Sequence, residues 1–431
     1  MIYKWGYRIV TVLFSPLAAA VLGCIQLFAP KETKEIWRQR RGIYRDIQPP
    51  QKPRIWIHSV SVGEMSVAEA LLPHLQKLCP DSEILITSMT KAGYEYANKN
   101  LPNIPIYIVP LDFPWIVKRA IRTIQPTLFA ILETEFWPNL IARAHLENIP
   151  VCLANGRISQ MKGIGFFLKE LYCPVLSFIQ CFSMVSEENK KRILQLGADI
   201  RRVCMHPNAK FDALPGRVKK CTELSFLDGM APHLEGKNVL VAGSIRHLEF
   251  DTIIDAMNKI QKEVPEAIFV LAPRHLNRVP MLVTQLQMAG FRVRLCSEAA
   301  NAEEYSPIVW VLDTMGDLFS LYRHASVCFC GSSLVPLGGQ NVLEPAAWEK
   351  PVLSGPSLED FELATGLLLK YDGIKIVADA EELAGAVIDL FQDPDRKEQM
   401  GKNAYKAFQA ALGGAKLHAQ EIINCMPEKK R

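Results

Sequence analysis

The feature that most constrains the fold is a regular alternation of short apolar runs with longer helical stretches. The first set of runs lies at 54–60, 83–89, 104–110, 127–133, 149–155, 181–186 and 202–207. A polar interval around 213–237 interrupts the rhythm, and a second set follows at 238–244, 267–273, 292–297, 308–313, 326–331, 350–356 and 373–378. Such alternation is typical of parallel strands with crossover helices. The sequence therefore predicts an α/β protein with two doubly wound parallel sheets in tandem.

Length and composition agree with two globular domains. The chain has 431 residues, of which 49% are hydrophobic and 22% charged, so it is too long for one compact core and too apolar for disorder. We predict an N-terminal segment at 1–45, a first Rossmann-like domain at 46–215 and a second at 216–431, with the last helices in the second domain.

The N-terminal segment is the one departure from a soluble composition. Residues 9–30 form a run of 22 residues without a charge, long enough to cross or enter a bilayer, and Pro16 is expected to kink it. Basic residues are more frequent after the run than before it, which places the rest of the chain in the cytoplasm. A cleaved signal peptide fits this charge distribution poorly. Three interpretations stay open: a membrane span, a helix in the interface and a buried cap on the domain. The basic residues are Lys4 and Arg8 before the run, and Lys31, Lys34, Arg38, Arg40, Arg41 and Arg45 after it.

Charge and cysteine patterns give no support to two other classes of protein. The net charge of +4 is mild and unclustered, so no nucleic-acid partner is expected. The eleven cysteines form no CxxC pair and no zinc-type spacing, and Cys328 and Cys330 share one face of an apolar run. We predict core cysteines in a reducing compartment, with no metal and no disulfide framework.

Polar residues that follow the predicted strands are the candidates for chemistry, because ligands bind beyond the carboxyl ends of parallel strands. These groups would line one cleft if the two halves face each other. They lie at 58–64, 133–137 and 155–157 in the first half, and at 244–249, 273–275 and 313–317 in the second.

The segment 331–348 has the pattern of an anion site. A strand end runs into Gly338 and Gly339 and then into a predicted helix start, where backbone N–H groups and the helix dipole favour a phosphate. Asn341 and Glu344 would project from the first turn towards a ribose or base. Their spacing equally fits a capping box, which needs no ligand.

Seven motifs in order give the chain a close resemblance to the bacterial 3-deoxy-D-manno-octulosonic acid (Kdo) transferases. The motifs are HSVSVGE at 58–64, ETEFWPN at 133–139, NGRIS at 155–159, NAKFD at 208–212, APRH at 272–275, DTMGDL at 313–318 and GGQNVLEPAA at 338–347. The resemblance implies the GT-B glycosyltransferase fold, a CMP-Kdo donor and a lipid A precursor as acceptor. It further implies an inverting reaction without metal or cofactor, on the cytoplasmic side of the inner membrane.

The resemblance also assigns roles to individual residues. Glu64 stands where a carboxylate would serve as general base, although a glutamate in a first helical turn is also favoured by the dipole alone. The positions of Glu133 and Lys210 are those that stabilise the transition state in the family. The CMP contacts of the family fall on Pro273, Arg274, Met315, Gly316, Asp317, Asn341, Val342, Leu343 and Glu344.

Four positions depart from the family pattern. Ile245 and Arg246 replace a threonine and a histidine, Gln340 replaces a histidine, and Asp317 is one methylene shorter than the usual glutamate. Gln340 keeps hydrogen-bonding capacity but carries no charge. The departures bear on donor affinity, whereas the positions of the base and of the CMP contacts are kept.

Two other functions fit the same architecture. A sugar-nucleotide epimerase or a UDP-sugar transferase would share the double sheet, since fold does not fix function. A catalytically silent, membrane-bound binding protein would explain the departures at Ile245 and Gln340. The presence of Glu64, Glu133, Lys210 and Arg274 argues against that silent form.

Overall fold

The computed structural model describes residues 6–158, 173–223, 230–301 and 309–428. Lys4, Ser159 and residue 308, which belong to predicted features, lie outside the described residues. The chain divides into two compact units, the first formed by Met1–Ala213 with Leu412–Arg431 and the second by Leu214–Ala411.

The first unit contains a seven-stranded sheet in which every pairing is parallel. Its strand order is β3-β2-β1-β4-β5-β6-β7. The central strands are buried on both faces, as expected for a sheet covered by helices. All seven predicted strands are confirmed: β1 (Arg54–Ser59), β2 (Glu83–Ser88), β3 (Ile106–Ile108), β4 (Leu128–Leu132), β5 (Val151–Gly156), β6 (Ile179–Met184) and β7 (Val203–Met205).

Helices cover both faces of this sheet. Trp56 and Phe129 are fully buried on one face, whereas Ile55 and Ile57 belong to the core on the other, which follows from the two-residue period of a strand. The helices of the first unit up to its edge strand are α1 (Gly6–Leu13), α2 (Ser15–Phe28), α3 (Lys31–Arg40), α4 (Val62–Leu78), α5 (Lys91–Asn100), α6 (Pro114–Ile124), α7 (Pro138–Leu146) and α8 (Glu187–Gln195).

The second unit repeats the architecture. Its sheet is again seven-stranded and parallel, in the order β10-β11-β9-β8-β12-β13-β14. All seven predicted strands are confirmed here too: β8 (Val239–Ile245), β9 (Ile268–Pro273), β10 (Val293–Leu295), β11 (Val309–Val311), β12 (Val327–Cys330), β13 (Val352–Ser354) and β14 (Ile374–Ile376). Cys328 and Cys330 are fully buried in β12, in agreement with their predicted role as core residues.

The helices of the second unit pack on the two faces of its sheet. Phe250, Leu282 and Val387 bring three of them into one core with Phe269 of β9. The helices are α9 (Leu214–Glu223), α10 (Ala231–Leu234), α11 (Phe250–Glu263), α12 (Val279–Met288), α13 (Leu318–Leu321), α14 (Leu343–Ala346), α15 (Glu362–Lys370), α16 (Ala380–Gln392) and α17 (Pro394–Ala410).

The last helix, α18 (Gly414–Asn424), corrects the predicted domain boundary, because it belongs to the first unit. Its residues Ala415, Ala419 and Ile422 are buried in the core that contains Ile55 and Ile57. The carboxylate of Asp212 accepts hydrogen bonds from the N–H groups of Gly413 and Ala415 and fixes the start of the helix. The predicted division at 215 lies two residues from the observed one, but the chain crosses back at Leu412.

The N-terminal helices are bent as expected at Pro16. Within the described residues, each helix by itself falls short of the length and apolar character needed to cross a bilayer. The pair α1 and α2 reaches both only when taken together, with a bend of 52° between them. Proline cannot donate to the carbonyl four residues earlier, which accounts for the break. Large apolar side chains of the pair are exposed, among them Leu13 and Phe28.

The basic flank is only partly available to a partner. Arg38 pairs with Glu35, and Arg40 donates to the main-chain carbonyls of Met89 and Val109. Lys31 and Arg45 are exposed. The side chains of Arg38 and Arg40 are therefore used within the unit.

Candidate functional site

Each sheet has a topological switch point, a place where the strand order reverses, and predicted site residues follow the strands on either side of it. In the first unit the strand order reverses between β1 and β4, and in the second between β8 and β12. Crevices at such points are where open parallel sheets bind ligands. Glu64 follows β1, Glu133 follows β4, and 244–249 and 331–344 follow β8 and β12.

Glu64 lies in the first turn of α4, and the residue is largely buried. The side chain turns back and accepts a hydrogen bond from the N–H of Val60. The pKa of Glu64 is raised to about 7, mainly by burial and also by the negative charges of Glu133 and Glu135, against the hydrogen bonds from Val60 and Ser61, which lower it. A carboxyl with this pKa exchanges protons near neutral pH, as a general base must.

Glu133 comes directly after β4 in a strained backbone conformation. Its φ angle is 59°, and its N–H donates to the carbonyl of Ala154 over 3.1 Å. Burial raises the pKa of Glu133, and the positive charges of Arg157 and Lys210 oppose that rise. A positive φ in a residue other than glycine is uncommon and is often found at functional sites.

Two charged residues of this site, Glu135 and Arg157, were not among the predicted catalytic residues. Burial raises the pKa of Glu135, which itself acts on Glu64. Both follow strand ends, in the ETEFWPN and NGRIS motifs, and this position is the signal in the sequence that could have identified them as site residues.

Lys210 is held near the first turn of α4 by the turn Ala209–Ala213. A Cβ atom placed on Gly63 would lie 3.8 Å from the Lys210 ammonium, so the ammonium lies beside the first turn of α4. The turn is fixed by Asn155, whose side-chain oxygen accepts the N–H of Ala209 over 2.8 Å. The structure thus brings Glu64, Glu133 and Lys210 into one electrostatic cluster, while their catalytic roles stay predictions.

His58, Trp137 and Asn139 have structural roles in the first unit. The indole N–H of Trp137 donates to Nε2 of His58 over 3.1 Å, so Nδ1 carries the proton that faces Thr87. Burial lowers the pKa of His58 to about 3, which keeps the ring neutral. Asn139 is anchored by Asp112, which accepts its main-chain N–H over 2.9 Å.

The glycine loop after β12 differs from the predicted anion site. A Cβ on Gly338 would meet the carboxylate of Asp360 at 2.5 Å, and one on Gly339 would meet the carbonyl of Ser357 at 2.8 Å. The two glycines, both with positive φ, thus permit close packing within the protein. The N–H groups of residues 337–339 are already bonded to Ser357 and Ser332. The helix that follows, α14, has only four residues, so its dipole is weak.

Asn341 and Glu344 do not form the alternative capping box. The side-chain oxygen of Asn341 accepts the N–H of Leu343 over 3.2 Å, a local turn contact. The carboxylate of Glu344 instead pairs with Arg217 at 3.3 Å, and the Arg217 guanidinium lies 4.1 Å from the centre of the Phe319 ring. Arg217 was not identified from the sequence, because more than a hundred residues separate it from Glu344.

Glu249 organises the first half of the loop. Its fully buried carboxylate accepts hydrogen bonds from the main-chain N–H groups of Ser332, Ser333 and Leu334 at 2.7, 2.8 and 3.0 Å. A further bond comes from the N–H of Arg246 at 2.8 Å. One carboxylate therefore joins the ends of β8 and β12 at the switch point of the second sheet.

The departures from the family pattern at Ile245, Arg246 and Gln340 meet at one place. Ile245 packs against Gly331, where a Cβ would lie 2.7 Å from the Ile245 main chain. The Nε–H of Arg246 donates to Oγ of Ser332 over 3.2 Å, and the Gln340 amide donates to the same oxygen over 3.4 Å. The three substitutions thus form one packed group around the start of the loop.

The residues predicted to contact CMP lie along neighbouring strand ends of the second unit. Strands β11, β9, β8 and β12 are adjacent in that order, and they are followed by 313–317, 273–275, 244–249 and 331–344. Arg274 and Met315 are exposed, and the N–H of Arg274 donates to the carbonyl of Ile245 over 2.8 Å. Val342 and Leu343 are fully buried.

The remaining predicted contacts have local structural partners. Pro273 is buried at the end of β9, and Gly316 has a φ angle of 99° that few other residues adopt. Asp317 accepts a hydrogen bond from the hydroxyl of Thr314 over 2.6 Å, and its carbonyl accepts the N–H of Leu321. The nucleotide-binding roles of these residues stay predictions.

Comparison with solved structures supports the fold. The crystal structure of UDP-GlcNAc 2-epimerase from Neisseria meningitidis bound to UDP-GlcNAc superimposes with a TM-score of 0.60 over 86% of this chain and 99% of that one. The two sequences are 16% identical. A glycosyltransferase from Rickettsia africae gives a TM-score of 0.54 at 14% identity, over 88% of this chain and 96% of that one. These similarities establish the two-domain GT-B architecture.

Comparison of sequences establishes the family. The model of the 3-deoxy-D-manno-octulosonic-acid transferase (kdotransferase) family matches residues 35–213. The 3-deoxy-D-manno-octulosonic acid transferase of Chlamydia pneumoniae is 30% identical over 424 residues, covering 95% of this chain and 94% of that protein. The Haemophilus influenzae enzyme of the same name is 26% identical over 95% of this chain and 96% of its own length. The chain therefore belongs to the Kdo transferase family, the glycosyltransferases that add Kdo in lipopolysaccharide biosynthesis.

Proposed function

We propose that this enzyme transfers Kdo from CMP-Kdo to a hydroxyl group of a lipid A precursor, with inversion at the anomeric carbon and Glu64 as general base. The observation that carries this proposal is the position of Glu64 at the switch point of the first sheet, with a pKa raised to about 7. At neutral pH a substantial fraction of this carboxyl is ionised and able to accept a proton.

In the proposed reaction the acceptor oxygen attacks the anomeric carbon of Kdo while its proton passes to Glu64. The bond between that carbon and the phosphate oxygen breaks, and CMP leaves with the electron pair. Attack from the face opposite the leaving group inverts the configuration. A positioned base of this kind contributes on the order of 10² to 10⁴ in rate.

Glu133 and Lys210 have charges suited to the transition state. Positive charge develops on the sugar ring, where Glu133 would stabilise it, and negative charge develops on the departing phosphate, where Lys210 would stabilise it. The positive charge of Lys210 acts to lower the pKa of Glu133, which supports a common site. Glu133 has a second effect, because its charge raises the pKa of Glu64 and so strengthens the base.

The second unit would bind the nucleotide. The exposed guanidinium of Arg274 suits a phosphate, since it donates two parallel bonds. Met315, Gly316 and Asp317 on one side, and Asn341 to Glu344 on the other, would complete the CMP site by their resemblance to the family. We propose that neither a metal nor an organic cofactor takes part in the transfer.

Membrane attachment would bring the enzyme to its lipid acceptor. Exposed apolar side chains on α1 and α2, among them Leu13, Leu27 and Phe28, support burial of this pair in the inner membrane. The exposed Lys31 and Arg45 would favour anionic phosphates at the cytoplasmic surface. Whether the pair spans the bilayer or lies in its interface, this attachment leaves the two α/β units in the cytoplasm.

A transfer assay tests the proposal. The full chain is incubated with CMP-Kdo and a bisphosphorylated lipid A precursor, without added divalent cations, and the lipid is analysed by mass spectrometry. We expect the mass of the lipid to increase by the mass of the added Kdo residues, and CMP to be released. UDP-GlcNAc, as an alternative donor, should give no product. Transfer from UDP-GlcNAc, or epimerisation of it, with no reaction of CMP-Kdo would overturn the proposal.

A further inference from the structure

A cluster of metal-binding side chains lies in the first unit, apart from the switch-point residues. Cys181 of β6, Cys204 of β7 and Glu421 of α18 place their ligand atoms within 4.8 Å of one another. The two sulfur atoms are 4.0 Å apart, and the Cys181 sulfur lies 3.9 Å from a carboxylate oxygen of Glu421. All three residues are half-buried, so an ion could reach them and still be partly shielded from water.

The distances are close to those of a tetrahedral zinc site. Zn–S bonds of about 2.3 Å and Zn–O bonds of about 2.0 Å give S···S and S···O separations of about 3.8 and 3.5 Å in a tetrahedron. The two measured separations exceed these by about 0.2 and 0.4 Å, and the third pair of ligand atoms lies within 4.8 Å.

His206 provides the support that a ligating carboxylate usually has. Its Nε2 lies 3.3 Å from the other carboxylate oxygen of Glu421, and both side chains are largely shielded from solvent. Hydrogen bonds of this kind orient metal ligands and commonly change metal affinity by about 10- to 100-fold.

We propose that Cys181, Cys204 and Glu421 bind one Zn²⁺ ion, with His206 orienting the carboxylate. Two thiolates with a carboxylate suit zinc, whereas Mg²⁺ and Ca²⁺ prefer oxygen ligands alone. On binding, two S–H bonds are replaced by two S–Zn bonds, both protons pass to the solvent, and nothing is oxidised. The ion would be structural and would take no part in Kdo transfer.

The position of the cluster explains what the ion would do. β7 is the edge strand of the first sheet, and α18 is the helix that returns to this unit from the second. A metal bridging Cys204 and Glu421 would join the two. The residue after His206, Pro207, accepts a hydrogen bond from His418 of α18, so the same clamp would steady the segment that leads to Lys210.

Metal uptake by the full chain tests this proposal. The protein, purified with a reductant and without chelator, is titrated with ZnCl₂ and separately with CoCl₂. We expect uptake of about one Zn²⁺ per chain, and a thiolate-to-cobalt charge-transfer band with tetrahedral d–d bands for Co²⁺. Zn²⁺ should raise the Tm. Absence of the thiolate-to-cobalt band from the reduced wild-type protein would overturn the proposal.

Variants locate the ion. Cys181→Ser with Cys204→Ser should remove the charge-transfer band and the Tm increase, whereas Cys24→Ser with Cys173→Ser, which changes two thiols elsewhere in the unit, should keep both. Glu421→Gln and His206→Ala should each weaken Zn²⁺ binding by about 10- to 100-fold. These two variants decide the question if the double serine variant does not fold.

Unchanged metal binding in the Cys181→Ser, Cys204→Ser protein would contradict the proposal. So would a Cys181–Cys204 disulfide in the isolated protein together with no metal uptake after reduction, since the pair would then serve redox chemistry.

Discussion

The main-chain N–H of Asn155 donates a hydrogen bond to Nδ1 of His418 over 3.2 Å and so ties the end of β5 to the last helix of the chain. His418 also contacts the hydroxyl of Ser183 at 2.7 Å and the carbonyl of Pro207 at 3.0 Å. Asn155 in turn holds the turn that carries Lys210. The C-terminal helix is thereby coupled to a predicted catalytic residue.

Replacement of His418 should destabilise the first unit. In His418→Ala the buried N–H of Asn155 and the carbonyl of Pro207 lose their partner, which costs about 2–4 kcal/mol in free energy of unfolding. Urea unfolding measures this change. Lys416→Ala, at an exposed position of the same helix, serves as the control and should alter stability by less than about 0.5 kcal/mol. Equal stability of the two variants would show that the His418 contacts contribute little.

The buried histidines His58 and His418 should destabilise the first unit in acid. Burial lowers the pKa of His58 to about 3 and that of His418 to about 4, so the unfolded state binds protons more readily than the folded state. Stability from these groups is complete above pH of about 6.5 and is lost as the pH falls towards 4. The Tm measured from pH 7 to 4 should decrease, and less steeply in His418→Gln. An identical pH profile in that variant would contradict this origin.

Glu64→Gln should stabilise the protein at alkaline pH. A raised carboxyl pKa means that folding disfavours the charged form, so stability is lost as the pH rises from about 4.5 to 7. Glutamine keeps an oxygen for the Val60 N–H and carries no charge. We expect a gain of about 1–3 kcal/mol at pH 8, reduced by solvent screening, and a gain several times smaller at pH 5. A comparable gain at both pH values would point to a cause other than charge.

Glu249 should be essential for nucleotide binding without contacting the nucleotide. Glu249→Gln places an amide NH₂ among main-chain N–H donors of the loop 332–334 and disrupts its conformation, at a cost of about 2–4 kcal/mol. Calorimetric titration with CMP should show a loss of affinity of at least about tenfold. Asp255→Asn, at an exposed position on the helix that follows, should bind CMP normally. If Glu249→Gln binds CMP with wild-type affinity, the loop 332–334 does not contribute to the nucleotide site.

Arg246 should contribute to donor affinity in this chain. Its Nε–H bonds to Ser332, and its neighbour Ile245 pairs in the sheet with Pro273, the residue before Arg274. We expect Arg246→Ala to weaken CMP binding about tenfold or more, as for a lost bond to a charged group, with Arg292→Ala as the exposed arginine control. If Arg246→Ala weakens the binding of cytidine as much as that of CMP, Arg246 does not act through the phosphate, and the prediction is wrong.

Much of the fold was predictable because strand burial leaves a local signal. Runs such as 54–60 and 238–244 are apolar on both faces, and helical stretches separate them, so all fourteen strands and their parallel arrangement followed from the sequence. The rule that ligands bind beyond the carboxyl ends of parallel strands then directed attention to Glu64, Glu133 and Arg274, which lie at that edge of their sheets.

The features that the sequence did not reveal depend on distant contacts. The return of α18 to the first unit depends on the bonds of Asp212 with Gly413 and Ala415, about two hundred residues apart. The amides of the glycine loop were expected to face an anion, but Ser357 and Glu249 occupy them. Cys204 lies 23 residues after Cys181, and Glu421 lies 240 residues after it, so no spacing motif in the sequence indicates this cluster.

The most direct test of the central claim is Kdo transfer by Glu64→Gln measured together with its affinity for CMP. Loss of the proton acceptor should reduce kcat by at least about 10² while the dissociation constant for CMP changes little. Gln420→Glu, a conservative change at an exposed site, should leave both quantities unchanged. Transfer by Glu64→Gln at the wild-type rate would contradict the assignment of Glu64 as the general base.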